Sequence, residues 1–154
     1  MDHSYKVPMG FTGEEFPPGM HICYIYTNEE ERKWIIFRFL ESGLLKGEKV
    51  SYFIDTETPD KMKEQQTALG IDELYQEYRE IFTLASTRET YYPTGTFVPD
   101  DMLFWLSEFY TRSVEEGYTG TRASGEMSWA IRGIPGSSRL MEYEARLNST
   151  FMKY

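Results

Sequence analysis

The sequence predicts an α/β fold, a three-layer α/β/α domain with a mainly parallel sheet between two layers of helices. Short apolar runs typical of strands alternate along the chain with longer segments of helical periodicity. This alternation is typical of βαβ units, and 154 residues are enough for one such domain with a sizeable core. Ligands bind at the carboxyl ends of the strands in parallel sheets, so we expect a functional site at that edge.

Proline and glycine divide the chain into an arm and a domain. Residues 1–18 are rich in both and predict an N-terminal arm, whereas residues 19–154 predict a single domain. The elements predicted within the domain are, in chain order, a strand at His21–Tyr26, a helix between Asn28 and Gly47, a strand at Lys49–Ile54, a helix from Thr58 to Leu69, a short helix at Asp72–Tyr78, a strand at Ile81–Ala85, a helix at Asp101–Glu116, a strand at Tyr118–Ser124 and a helix at Ser138–Leu147.

Each of these elements rests on a local signal. The strands are runs rich in β-branched and aromatic residues, except the fourth, which is a weaker run of small and polar residues. The first helix follows Asn28, a good N-cap with Glu31 at the capping-box spacing, and Trp34 and Leu40 belong to its apolar face. The second helix begins with Pro59, a residue common at the first helical position, and Gly70 closes it. The helix at 101–116 carries apolar residues at helical spacing.

Composition excludes several classes of partner. The formal net charge of −9 repels phosphate backbones and anionic lipids, so neither nucleic acid nor a membrane is expected to bind. The single cysteine, Cys23, excludes an intramolecular disulfide and is predicted to be a small core residue. No apolar run approaches the length of a membrane span, and the first residues lack a signal pattern, so a cytoplasmic location is expected.

The joint between the first strand and the first helix stands where nucleotide-binding proteins carry a glycine-rich phosphate loop. That loop needs glycines whose backbone amides surround the anion, and a lysine that reaches the outer phosphates. Here there are no glycines, and Glu29, Glu30 and Glu31 follow one another. Three carboxylates repel a triphosphate, so the phosphate loop is degenerate and ATP hydrolysis is not expected. The sequence contains no other catalytic, metal or cofactor motif, and we expect no enzyme activity, no cofactor and no metal.

The segment YTNEEERKWIIFRFLESGLLKGEKVSYFIDTETPDKMKEQQTALGID resembles, without gaps, the first half of a KaiC or RecA-like ATPase core. On that register, Tyr26 and Glu31 stand where the loop has glycines. Arg32 stands at the lysine and Lys33 at the serine or threonine. The resemblance therefore implies a RecA-like fold whose ATPase chemistry is lost.

Four blocks resemble the MEDS domain, the sensory domain named for methanogens, methylotrophs and DcmR. They are GMHICYIYTNEEER, FLESGLLKGEKVSYFID, GEMSWAIRGIPGSSRL and EYEARLN. The resemblance implies a sensor of small hydrocarbon derivatives that signals to transcription or a phosphorelay. The chain departs from the family in two ways. It carries no helix-turn-helix or kinase domain, and the family domain usually continues past EYEARLN with a further strand. We therefore expect either a sheet that is short by one strand or the beginning of that strand in the last residues.

The predicted ligand-binding residues lie in the loops at the carboxyl edge. Arg32 either grips an anionic ligand or pairs with a neighbouring acid, and Asp55 either binds a ligand hydroxyl or caps a turn. Glu126 either pairs with Arg122 or Arg132 or contacts the ligand directly. His21 is expected to be structural, because it lies away from this edge. The full set of candidates is Asn28, Glu29, Arg32, Asp55, Tyr91, Glu126, Trp129 and Arg132.

These observations predict a non-catalytic sensory module of the DcmR type. It would bind a small molecule, a hydrocarbon derivative or a one-carbon compound, and regulate transcription or a phosphorelay through a separate protein, either a regulator or a kinase. Homo-oligomerisation is compatible with this prediction. Two alternatives stay open: a nucleotide-binding regulator that does not hydrolyse its nucleotide, and an interaction scaffold without a ligand.

Overall fold

A computed structural model of the chain describes residues 5–151, in which parallel strands alternate with helices. The first four residues of the predicted arm and the last three of the predicted domain lie outside this range. The elements, in chain order, are β1 (Val7–Pro8), β2 (Glu15–Phe16), α1 (Glu29–Leu45), β3 (Lys49–Ile54), α2 (Pro59–Ala68), α3 (Asp72–Glu77), β4 (Phe82–Ser86), α4 (Thr87–Tyr91), α5 (Pro99–Glu115), β5 (Thr121–Gly125), two 3₁₀ turns (Ser128–Ile131 and Ser137–Arg139) and α6 (Leu140–Phe151).

The main sheet has three parallel strands in the order β4-β3-β5. Strand β3 pairs with β4 so that Ile54 lies opposite Ser86, and with β5 so that Phe53 lies opposite Gly125. All three strands therefore end at the same edge of the sheet. The predicted mixed α/β architecture with a parallel sheet is confirmed, and the relation to RecA-like ATPases stays a prediction.

Helices cover both faces of this sheet. On β3, Val50, Tyr52 and Ile54 point into one core, where they pack with side chains from α1, α2 and α3. Phe53, between them, points into a second core that contains side chains from α5 and α6. This alternation follows from the period of two of a β-strand. Because both faces of β3 are buried, its sequence is a nearly continuous apolar run.

Helix α1 begins as its caps predict. The Asn28 side chain accepts hydrogen bonds from the backbone amides of Glu30 at 2.9 Å and Glu31 at 3.1 Å. Leu40 is buried as predicted, but Trp34 is 53% exposed and does not belong to the buried face. The wide apolar stripe of α1 therefore overestimates how much of the helix the sheet covers.

The prediction of a first strand at His21–Tyr26 is wrong. Residues 20–26 have no regular secondary structure, and Ile25 is 86% exposed. Cys23, predicted to be a core residue, is also exposed. Strand propensity describes how a side chain fits a pleated, half-buried surface, and no such surface covers this segment among the described residues. Side-chain contacts hold it instead: His21 pairs with Glu144 of α6, and the ring of Tyr26 lies under the guanidinium of Arg32.

Three further elements differ from the predictions. The predicted loop after β4 begins with helix α4, because Ser86 and Glu89 form a capping box. Helix α6 continues to Phe151, so residues 148–151 are helical and do not begin a strand. The arm contains a short antiparallel pairing of β1 with β2. None of the helices within residues 5–151 is long and apolar enough to cross a membrane.

A buried ion pair fastens the arm to the domain. Arg122 of β5 donates to both carboxylate oxygens of Glu48, at 2.7 and 3.0 Å, and both residues are only 6% exposed. The same guanidinium donates to the carbonyl oxygens of Phe39 at 2.9 Å and Pro8 at 3.0 Å. Gly43 leaves room for it, since a Cβ there would contact the Arg122 side chain. One arginine thus joins the arm, α1 and the sheet.

Replacing Arg122 with methionine should lower the free energy of unfolding in urea by about 3–5 kcal/mol. The substitution leaves the Glu48 carboxylate buried without its cation and removes the donor from two carbonyl groups. The control Lys63→Met breaks the exposed ion pair of Lys63 with Asp72 and should cost less than about 1 kcal/mol. Equal losses in the two variants would show that the buried pair is not what fastens the arm.

Candidate functional site

Three polar residues follow directly after the three parallel strands. Asp55 follows β3, Thr87 follows Ser86 at the end of β4, and Glu126 follows β5. The strand register brings them together: the Thr87 hydroxyl donates to Asp55 Oδ1 at 3.0 Å, and the Asp55 backbone amide donates to Glu126 Oε2 at 2.6 Å. The sequence could place these residues at one edge because carboxyl ends of parallel strands meet there.

Glu126 is paired with Arg32, which α1 delivers to the same edge. Arg32 is only 8% exposed, and its Nη2 donates to Glu126 Oε1. The hydroxyl of the buried Tyr52 donates to the same oxygen at 2.8 Å. Burial acts to lower the pKa of Arg32, but neighbouring groups, Glu126 among them, raise it overall, so the guanidinium stays charged. Glu126 therefore accepts hydrogen bonds from three donors, one on α1 and two on β3 and the residue that follows it.

Asp55 is the second centre of hydrogen bonding at this edge. Arg132 donates to both of its carboxylate oxygens, at 2.5 and 2.7 Å, and the hydroxyl of Ser128 donates to Oδ2. Burial acts to raise the pKa of Asp55, but the hydrogen bonds from Arg132, Ser128 and Thr87 together outweigh it and lower the pKa. We call the joined groups the carboxyl-edge network; its members are Arg32, Tyr52, Asp55, Thr87, Glu126, Ser128 and Arg132.

The structure corrects the predicted partner of Glu126. The sequence nominated Arg122 or Arg132, but Arg122 binds Glu48 and Arg132 binds Asp55. Arg32 takes the place beside Glu126, although 94 residues separate them along the chain. Sequence spacing could not identify this pair, because it depends on how α1 packs on the sheet and brings its first turn to the carboxyl edge.

The remaining candidates from the sequence occupy different surroundings. Asn28 is the N-cap of α1, and Glu29 is exposed and accepts a hydrogen bond from Arg32 Nη1 at 3.1 Å. Tyr91 and Trp129 are both buried, with ring centroids 5.4 Å apart. The network thus contains Arg32, Asp55, Glu126 and Arg132 of the predicted set, and the two aromatic residues belong to the core beside it.

An aromatic cluster lies behind the network. It consists of Phe53, Tyr91, Tyr92, Phe97, Trp129 and Tyr143, and Trp129 at its centre is completely buried. The ring of Phe97 lies 5.0 Å from that of Trp129. Gly125 is required at the end of β5, because a Cβ there would overlap the hydroxyl of Tyr91. The Arg132 guanidinium also approaches the Tyr92 hydroxyl at 3.4 Å, so cluster and network are in contact.

A cavity of about 530 Å³ opens next to the cluster, between loop 92–98 and helix α5. Tyr91 is shared by the cluster and the cavity wall. Ala85, at the end of β4, and Trp105, on α5, also line it. The cavity is therefore adjacent to the carboxyl edge, where parallel sheets place their ligands.

Sequence reasoning missed several of these residues. Tyr52, Thr87 and Ser128 belong to the network, and Trp105 lines the cavity. Thr87 could have been found, because it lies just after a predicted strand and close to the candidate Tyr91 in the sequence. Trp105 gave a weaker signal: it stands at helical spacing from Met102 and Phe109, at the border of the apolar face of its helix.

The fold and the site define an α/β domain with a parallel sheet and a polar, cavity-bearing carboxyl edge. The family model of the methanogen/methylotroph, DcmR sensory domain, MEDS, matches residues 20–154. The chain belongs to the MEDS family. MEDS is a family of sensory domains, and a sensory role in general follows from this membership. The comparisons with curated proteins and with solved structures give no match.

His21, expected to be structural, lies outside the network and is bound to α6. Its Nε2 donates to Glu144 Oε2 at 2.8 Å. This hydrogen bond raises the pKa of His21 above 6.5, in opposition to partial burial. A raised pKa means that the pair stabilises the fold fully below pH 6.5 and less as the pH rises through the folded-state value.

The variant His21→Gln keeps a hydrogen-bonding side chain but loses this charge. We expect it to be less stable than the parent chain by up to about 1 kcal/mol near pH 6, and by less near pH 8. Urea unfolding at the two pH values measures the difference. A stability difference that does not change with pH would contradict the ionic role of His21.

Proposed function

We propose that the chain is a non-catalytic sensory module in which a small molecule binds in the cavity and alters the carboxyl-edge network. The observation that carries this proposal is the position of helix α4. Its first residue, Thr87, donates to Asp55 in the network, and its last residue, Tyr91, lines the cavity. A ligand that moves Tyr91 acts on the same five-residue helix that holds Asp55.

The composition of the network supports a signalling role. It joins loops from separate elements: the start of α1 through Arg32, the end of β3 through Asp55, and the loop after β5 through Glu126. Each link is a hydrogen bond to a charged group, which makes it strong but dependent on geometry. A small displacement at one loop would therefore change the pairing at the others, and a second protein could recognise the changed surface.

The pairing of Arg32 supports ligand sensing over nucleotide binding. A phosphate at this position would have to displace Glu126 from Arg32. It would also have to approach the exposed carboxylates of Glu29, Glu30 and Glu31. Both requirements oppose the binding of a triphosphate.

The proposal extends to the ligand and the partner. The ligand belongs to the hydrocarbon derivatives or one-carbon compounds, and the output is regulation of transcription or of a phosphorelay. The partner is a regulator or a kinase. The absence of catalysis is also part of the proposal, since the carboxylates at the edge, Asp55 and Glu126, are each held by an arginine.

A panel of short hydrocarbon derivatives and one-carbon compounds tests the proposal by thermal unfolding and by amide NMR spectra. At tenfold above its dissociation constant, a ligand should stabilise the fold by about 1.4 kcal/mol, which raises the melting temperature by about 3–5 °C. The amide signals of Asp55, Thr87 and Glu126 should shift during the same titration.

Two variants make this test specific. Trp105→Ala should remove the response by altering the cavity wall, and Trp34→Ala, which changes an exposed tryptophan of α1, should leave it intact. If no compound of the panel raises the melting temperature or shifts the amide signals, ligand sensing is refuted. Binding that leaves the network signals unmoved would refute the route from cavity to network.

A further inference from the structure

The cavity between loop 92–98 and α5 has an apolar interior. Tyr91, Val98, Met102 and Trp105 contribute large hydrocarbon or aromatic surfaces to its wall. Its volume of about 530 Å³ lies within the range of sites for small organic molecules. An occupant therefore gains by placing a hydrocarbon or aromatic group inside it.

The mouth of the cavity is acidic. Glu89 and Asp101 both line it, and both residues are exposed. Hydrogen bonds from the backbone and the hydroxyl of Ser86 lower the pKa of Glu89, which keeps it ionised at neutral pH. No basic residue is found among the described residues that line the cavity; Arg88, next to Glu89, lines an adjoining depression together with Glu57.

Trp105 adds an aromatic surface beside these carboxylates. It is 36% exposed, and its ring is held in place by stacking on Phe109 at 5.2 Å and by an edge contact with Phe53 at 5.6 Å. An indole near ionised carboxylates attracts organic cations through its negative ring face. The overall charge of −9 acts in the same direction.

We propose that this cavity binds an organic cation, a molecule with an apolar or aromatic body inside the cavity and an ammonium group at the mouth beside Glu89 and Asp101. The inference rests on the proposed function, because it names the ligand class for the cavity through which that function acts. The threonine hydroxyls of the wall, Thr90, Thr94 and Thr96, supply further acceptors for the ammonium protons.

Three probes of nearly equal size but different charge show whether charge or shape decides binding. They are the phenethylammonium ion, the neutral 2-phenylethanol and the anion phenylacetate. Amide and indole NMR signals, recorded during titration to about 10 mM, give each dissociation constant and locate the bound probe. We expect the ammonium ion to bind about fivefold tighter than the alcohol, with shifts at Trp105 and Asp101, and phenylacetate to bind weakest.

Two matched variants assign this preference to the cavity mouth. Asp101→Asn should bring the ammonium ion and the alcohol to within about twofold of each other. Asp60→Asn removes the same charge from the first turn of α2, away from the cavity, and should leave the preference unchanged. Neither aspartate is buried, so both variants should keep the fold.

Equal binding of the ammonium ion and the alcohol would overturn the inference, as would tighter binding of phenylacetate or no binding of any probe at the cavity. A preference that survives Asp101→Asn would overturn it as well. The proposed function fails by a different result, namely unmoved network signals when the cavity is filled. If phenylacetate or the alcohol binds best and still shifts the network, the ligand class is wrong and the sensory function stands.

Discussion

The pairing of Arg32 with Glu126 is the interaction on which the arrangement of the carboxyl edge depends. Both groups are largely withdrawn from water, and an unpaired charge in that position would cost several kcal/mol. The pair is satisfied only if the start of α1, the end of β3 and the loop after β5 meet at one point, since Tyr52 and the amide of Asp55 complete the shell around Glu126. Arg32 is thus held by a carboxylate from the protein itself.

A series of contacts connects this pair to the cavity. Asp55 follows the strand that carries Tyr52, and it binds Arg132 and Thr87. Thr87 begins α4, and Tyr91 ends it in the wall of the cavity. The ion pairs of the network therefore lie at the carboxyl end of the sheet, and the cavity lies at the other end of α4. In the proposed function, the ligand would bind without entering the buried ion pair, and α4 would couple the cavity to it.

Much of the fold could be predicted from local patterns, and the failures have physical causes. Strand β3 matches its predicted bounds, because burial on both faces leaves a clear apolar run, and Asn28 caps α1 as its spacing indicates. The segment HICYIY has equally good strand signals but pairs with no strand within residues 5–151, because a strand also needs a neighbour that propensity cannot supply. At the site, Asp55 and Glu126 could be placed by their positions after strands. The partners of these carboxylates and the cavity could not be predicted, because they depend on how α1 and loop 92–98 pack against the rest of the domain.

A double-mutant cycle on Arg32 and Glu126 tests the central claim most directly. The variants Arg32→Met, Glu126→Gln and their combination are compared with the parent chain by urea unfolding. If the pair organises the edge, each single change should cost about 3 kcal/mol or more, and the combined change should cost far less than the sum, with a coupling of about 2–3 kcal/mol. Additive losses would show that the two residues stabilise the fold independently, and the account of the carboxyl edge would then be wrong.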